Sequence, residues 1–296
     1  MSTNAEHMCS NETIRLLHER ASCRSYSNVH IEPEVLQKIL DAGIHAPTGG
    51  NLQPYSVIKI ENQQTKRKLA EMCGQDFIST APVNLLFCID WYRLKRWAAL
   101  KTAPFSATHS FRHFWISFQD TIIAAQNMCT AADALGLGSV YIGTILEYFR
   151  EMREMFGLPD AVLPVVLLCL GYPRGKRHTR RKLGIDIIVH EEKYHEHGDA
   201  ELVEAYETKY PHARYELDER RMATIYEVCK AVQGEDFAKR CIAAIKEKGY
   251  INQAQRTFGL HYRADMMPEG NQEFLQTIEE CGFDWFTEWR VPEVHK

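Results

Sequence analysis

Two stretches of the chain are apolar at nearly every position. Val83 to Ile89 and Val162 to Leu170 run without alternation, which predicts strands covered on both faces. Tyr55 to Ile60 reads as a third strand, and Ser139 to Ile142 as a brief extended segment. Elsewhere the spacing is helical. Thr13 to Glu19 predicts a short helix. Ile31 to Ala46 predicts a second, with Pro33 in its first turn and Val35, Leu36, Ile39, Leu40 and Gly43 as its apolar stripe. Pro47 stops that helix, and Thr48-Gly-Gly-Asn51 is loop chemistry.

Thr65 to Met72 predicts another short helix, and Gln119 to Leu135 a longer, alanine-rich one. Leu146 to Phe156 predicts a helix closed by Gly157, with Pro159 just beyond. Between these, Trp91 to Phe118 holds eight aromatics in 28 residues and shows no clean period. Arg174 to Lys182 is a basic tract, followed by a short apolar return at Ile185 to Val189. From Asp199 the chain turns polar and helical, with a last helix at Gln272 to Cys281. The pattern predicts an α+β core over 1–195, with an aromatic insertion at 91–118, and a helical C-terminal extension over 196–296 packing on it.

At 296 residues the chain has ample material for a core. Its 45% apolar and 25% charged content is that of a soluble protein, and a formal charge of -4 gives no general push toward nucleic acid or membrane. No apolar run reaches the ~20 residues that span a bilayer, and Met1 to Asn11 lacks the pattern of a signal peptide. Nine cysteines are scattered without a CxxC pair. Zinc and dithiol chemistry are therefore not expected, no metal site is predicted, and a cytoplasmic location is the simplest reading.

Candidate chemistry begins at Arg20-Ala-Ser-Cys-Arg24. Two guanidiniums and a hydroxyl within five residues suit a phosphate, since the planar arginine fork combines charge with fixed donors. An ordinary surface stretch has the same spacing. Arg174, Lys176, Arg177, Arg180, Arg181 and Lys182 offer the second half of a cradle, and without interleaved aromatics they do not read as a nucleic-acid patch. In an extended stretch Arg180 and Lys182 would point the same way. The small-residue loop Ala46-Pro-Thr-Gly-Gly-Asn-Leu-Gln-Pro54 lets backbone approach a flat ligand, and Gly138-Ser-Val-Tyr-Ile-Gly143 offers a second backbone edge. Together these residues suggest a phosphorylated planar cofactor, with FMN the best candidate. Reduced FMN carries negative charge near N1 and O2. A cation at ~4 Å would stabilise it by roughly 4 kcal/mol at an effective dielectric near 20. Arg24 is the natural source.

These blocks, in this order, resemble the FMN-dependent nitroreductase superfamily. Ala124 to Gly143 is similar to that family's central dimer helix and flavin loop. Leu170-Gly-Tyr-Pro173, Arg180-x-Lys182-Leu183 and Val189-His190-Glu-x-x-Tyr194 resemble its group A branch of NADPH nitroreductases and flavin reductases. The likeness covers about Ile14 to Tyr194. It implies a three-layer sandwich with a central, mostly antiparallel sheet flanked by helices, and a homodimer with FMN at the subunit interface. By position it implies that Arg20, Ser22, Arg180 and Lys182 hold the phosphate and that Arg24 faces N1 and O2. Pro47, Thr48, Gly49, Asn51 and Gln75 would line the flavin, with Gly138, Tyr141, Ile142 and Gly143 along its edge. It also implies ping-pong transfer from NADPH or NADH, through flavin N5, to nitroaromatics, quinones or flavins.

Three features depart from the family pattern. Trp91 to Phe118 is longer and more aromatic, and reads either as a lid with Trp97, Phe105, Phe111, Phe114 or Trp115 over a substrate, or as packing. Gly184 stands where the family has proline, and the arm from Asp199 to Thr257 is extended. Two further readings accordingly stand beside the general reductase. One is a specialised reductase or reductive dehalogenase selected by the lid; the other is a flavin-binding protein without turnover.

Overall fold

The two unbroken apolar runs become the central strands of a four-stranded sheet. The computed structural model describes residues 11–286 and 288–290; Cys9 lies outside them. Its first elements are helix α1 (Glu12–Glu19), helix α2 (Pro33–Ile44), strand β1 (Tyr55–Ile60), helices α3 (Gln63–Cys73) and α4 (Phe77–Thr80), and strand β2 (Val83–Asp90). Helices α5 (Trp91–Leu100) and α6 (Phe111–Ala134), strand β3 (Gly138–Ile142), helix α7 (Phe149–Phe156) and strand β4 (Val162–Gly171) follow. The sheet order is β1-β2-β4-β3, and all three pairings are antiparallel.

Alternation along β2 explains why it carries no polar face. Leu85, Phe87 and Ile89 pack with Leu36 and Ile39 of α2 and with Ala125, Met128 and Cys129 of α6. Leu86 and Cys88 pack on the other side, with Leu69 and Ala70 of α3, Ile78 of α4 and Met152 of α7. The sheet thus lies between two helical layers, which is the three-layer α+β arrangement expected. Pro164 sits inside β4 and cannot donate to the ladder. A β-bulge accommodates it: Phe87 pairs with Val166 and Cys88 with Pro164, leaving Val165 unpaired.

Several elements differ from the sequence reading: Trp91–Leu100 forms a regular helix, and the helix predicted from Leu146 begins at Phe149. Helix α6 begins at Phe111 rather than Gln119. Ser110 caps it by accepting from His113 N–H, and Phe114 packs on Phe283 and Trp285, with ring centroids 5.9 and 4.2 Å away. Those tertiary contacts stabilise a first turn that has no period of its own. The Ile185–Val189 return is a single exposed helical turn, α8 (Ile185–Ile188).

The remaining helices are α9 (Asp199–Lys209), α10 (Glu219–Gln233), α11 (Glu235–Lys248), α12 (Gln253–Arg256) and α13 (Asn271–Glu280). The chain divides into two compact units at Thr179 and Gln272, whereas the pattern of the sequence puts the boundary at 195. Residues 180–271 form one unit, with a small core of Ile225, Ile245 and Ile251. Residues 272–286 and 288–290 belong with the sheet. There Arg150 of α7 pairs with Glu280 at 2.8 Å and Glu273 at 3.3 Å. Among the described residues, no helix is long and apolar enough to cross a membrane.

Candidate functional site

The arginine segment starts where α1 ends. Arg20 leaves helical geometry (ψ 128°), and the chain then runs extended beside β3 and the exit of β4. Cys23 N–H donates to Ser139 O at 2.9 Å, Ser27 N–H to Tyr172 O at 2.8 Å, and Arg174 N–H to Ser25 O at 3.0 Å. Extended backbone alternates its side chains. Ala21 and Cys23 are buried, and Ser22 and Arg24 are exposed. The period of two therefore puts Arg20, Ser22 and Arg24 on one face. Gly138 makes this docking possible: a Cβ there would stand 2.6 Å from Cys23 Cβ. Tyr26, fully buried, ties the turn by donating its hydroxyl to Cys23 O at 2.8 Å, and burial pushes its pKa up.

Beneath this segment lies Asp133, in the last turn of α6, with its side chain only 3% exposed. Arg177 Nη1 donates to its Oδ1 at 2.7 Å and to Ala21 O at 3.2 Å. Arg20 Nε stands 3.9 Å from Oδ2, too far for a hydrogen bond. Arg20 Nε and Nη2 are buried and have no hydrogen-bond partner among the described residues. Beside them is a cleft of ≈ 630 Å³ in which Arg15, Arg20, Lys176 and Arg177 face Glu19 and Asp133. A second cleft of ≈ 440 Å³ shares Lys176 and Arg177 and adds Ser22, Arg24 and Arg174, with no carboxylate in its wall. The pair of clefts is cationic and keeps unused donors, as an anion such as a phosphate monoester requires.

Farther along the same edge, Arg24 lies over the Phe77 ring, 6.0 Å from its centroid. Gln75 follows the left-handed Gly74 at the end of α3, and its Nε2 donates to Thr144 Oγ1 at 3.3 Å, next to the exposed Gly143. Ile142 is buried; Tyr141 is half-buried, and desolvation raises its pKa. Arg20, Ser22, Arg24, Gln75, Gly138 and Gly143 are thus tied into one edge of the sheet unit.

The loop of Pro47, Thr48, Gly49 and Asn51 is anchored elsewhere. Gly49 N–H donates to both carboxylate oxygens of Asp120 at 3.1 Å, and Gln53 N–H donates to Thr48 Oγ1 at 3.2 Å. Asn51 and Gln53 both take left-handed backbone, with φ of 56° and 48°. Asp120 and Asp133 lie thirteen residues apart on α6, which sets the two anchor points about 20 Å apart along the helix axis. Arg180 and Lys182 are exposed and belong to the second unit, where Arg181 Nη1 donates to Thr208 O at 3.3 Å.

Sequence reasoning missed Asp133, Asp120 and the part of Arg177. Asp133 left one signal: a carboxylate in the last turn of a helix opposes the macrodipole and calls for a cation. Of the five rings read as a possible lid, Phe105 and Phe114 pack against the core, while Trp97, Phe111 and Trp115 are exposed.

The sequence pattern of the Nitroreductase family matches residues 17–172, more than half of the chain. This protein belongs to the nitroreductase family. Within curated proteins it is similar to a Bacillus subtilis protein named FMN reductase (NAD(P)H). Identity there is 33% over 186 residues, covering 62% of this chain and 75% of the relative. It is 31% identical over 187 residues to the NADPH-flavin oxidoreductase of Vibrio harveyi, covering 63% and 76%. Among solved structures, B. megaterium NfrA2 superposes with a TM-score of 0.71 at 26% identity, covering 93% of this chain and 99% of that one. The matched family segment contains both α6 anchors and Arg20, Ser22 and Arg24, while Arg174, Lys176 and Arg177 follow just after it.

Proposed function

We propose that this nitroreductase-family protein is an FMN-dependent NAD(P)H oxidoreductase that acts as a homodimer and reduces nitroaromatics, quinones or flavins by a ping-pong route. The observation that carries the reading is the Arg20 guanidinium, whose Nε and Nη2 are buried without a hydrogen-bond partner among the described residues, beside a cationic cleft. An FMN phosphate would complete those donors, with Ser22, Lys176 and Arg177 around it. FMN, when bound, supplies hydride transfer at N5. Arg24 would then set a positive charge beside the N1 and O2 edge, favouring the reduced form. Gln75, Gly138, Tyr141, Ile142 and Gly143 would border the ring. The names of the B. subtilis and V. harveyi relatives support the same chemistry.

The dimer follows from the two anchors on α6. The Gly49 loop and the Arg20 corner are held about 20 Å apart within one chain, so one protomer presents two half-sites. On either side of the Asp120 anchor α6 exposes Trp115, Ile116 and Ile123. A second copy covering that face about a two-fold axis would bring the Gly49 loop of one protomer toward the arginine edge of its partner. Pro47, Thr48, Gly49 and Asn51 would line the flavin from there.

Anaerobic absorption spectroscopy tests the proposal. The purified protein should be yellow, bleach on addition of NADPH or NADH, and recover its colour with a nitroaromatic or quinone. Failure to take up FMN on reconstitution would overturn the cofactor assignment. Bound FMN that neither nicotinamide bleaches would overturn the reductase and favour a binding protein without turnover. Arg24→Ala should lower the flavin potential more than flavin affinity, and an unchanged potential would contradict its role.

A further inference from the structure

The second unit holds a cluster of ligating groups that the flavin reading leaves unused. His190, His195 and His197 precede α9, and Glu201 lies in its first turn. One donor atom from each of His195, His197 and Glu201 falls within 4.8 Å of the others. His197 Nδ1 stands 3.1 Å from Glu201 Oε1. The His195 and His197 rings meet edge to face at 5.1 Å, and the His190 ring lies 5.5 Å from His197. His190 Nδ1 accepts from His195 N–H at 3.2 Å, which fixes that ring beside the cluster.

The deciding group is His197. Its side chain is 7% exposed, yet neither ring nitrogen has a hydrogen-bond partner among the described residues. A buried imidazole used only for packing is expected to pair at least one nitrogen. This one instead directs Nδ1 toward a carboxylate without hydrogen-bond geometry, with a second imidazole alongside. Ligands ~2.0–2.1 Å from a tetrahedral ion stand roughly 3.3 Å apart. The His197–Glu201 pair is at that spacing already, and His195, on the exposed side, closes the remainder by side-chain rotation.

We propose that His195, His197 and Glu201 bind a divalent transition ion of the zinc class, leaving a fourth position for water. Imidazole donors select against magnesium and calcium, which prefer all-oxygen shells. The ion clips the loop at residues 195–197 to the first turn of α9 and so orders the entrance to the helical unit. Cysteine spacing excludes thiolate zinc sites and is silent on this one, because its donors are imidazoles and a carboxylate. The proposal is independent of the flavin reading.

Isothermal titration of Zn²⁺ into chelator-treated, flavin-loaded protein tests it, with His195→Ala and His197→Ala beside the wild type. One equivalent per chain should bind tightly to the wild type, and magnesium should not compete. Each variant should weaken that equivalent by on the order of 100-fold or more, since loss of an outer-shell partner alone costs 10–100-fold. His195 is exposed, so its variant should keep the wild-type circular dichroism and flavin content even if His197→Ala does not fold. A wild type without a tight equivalent overturns the site, as does the same tight equivalent in His195→Ala.

Discussion

Helix α6 buries two carboxylates and engages them in opposite ways, with Asp133 Oδ2 left without a hydrogen-bond partner among the described residues. Asp133 meets side chains: Arg177 bonds it directly, and Arg20 stands behind with donors to spare. Asp120 meets backbone: both of its oxygens are taken by the single N–H of Gly49. One corner concentrates positive charge and keeps unspent donors; the other spends its one backbone donor on holding a loop in place. The contrast separates what an anion needs from what a flat ring needs. Fixed cations with free donors suit a phosphate, whereas a ring needs backbone of defined shape.

Removing Asp133 should have the largest effect. Asp133→Ala strips the shared partner from two guanidiniums, each only about a quarter exposed, and should destabilise the sheet unit by about 3 kcal/mol. Denaturant unfolding followed by tryptophan fluorescence measures this. A loss below ~1 kcal/mol would mean that the corner behaves as a surface ion pair. Arg20→Met comes next and tests the anion side alone, because the direct Arg177–Asp133 bond remains. FMN affinity should fall roughly 10- to 100-fold, the loss of one charge-assisted hydrogen bond, with little change in unfolding. Unaltered affinity would detach Arg20 from the phosphate.

The Asp120 corner should show the smallest effect, and one that depends on pH. Burial raises the pKa of Asp120 above 3.8, and the Gly49 N–H pulls it only partly back. A carboxylate whose folded pKa is raised adds stability that is fully present below its unfolded pKa and is lost as pH rises through the folded value. Asp120→Asn has no such titration. Wild type should therefore gain on the variant as pH is lowered from about 7 to about 4, by on the order of 1 kcal/mol, since the Gly49 N–H offsets part of the burial. A Tm difference that stays flat with pH would show that burial does not penalise this charge.

How much of this was legible in the sequence depended on how far apart the partners lie along the chain. Strands β2 and β4 were visible because helices cover both faces, which removes the polar alternation. Strand β1 and the stop of α2 at Pro47 were equally local. The start of α6 was hidden because Phe114 is held by Phe283 and Trp285 from the far end of the chain. In the site, Arg20, Ser22 and Arg24 share a face because extended backbone has a period of two, so spacing alone found them. Their counterpart Asp133 lies over a hundred residues away, and its bond to Arg177 is a product of folding. Likewise the loop at Gly49 reads as a loop from composition, but its anchor Asp120 is 71 residues on. Basic residues after β4 were visible as a tract; which of them turn back to the arginine segment was decided by the backbone ladder from Ser25 to Arg174.

Asn51 and Gln53 carry a consequence of their own. Holding two non-glycine residues in left-handed backbone costs on the order of 1 kcal/mol each, and that cost is met when the chain folds. Nothing of it remains to be spent when a ligand arrives. In the proposed flavin site the loop at residues 47–53 would therefore act as a template rather than a flap, with association governed by encounter and fit and little ordering of the loop to slow it.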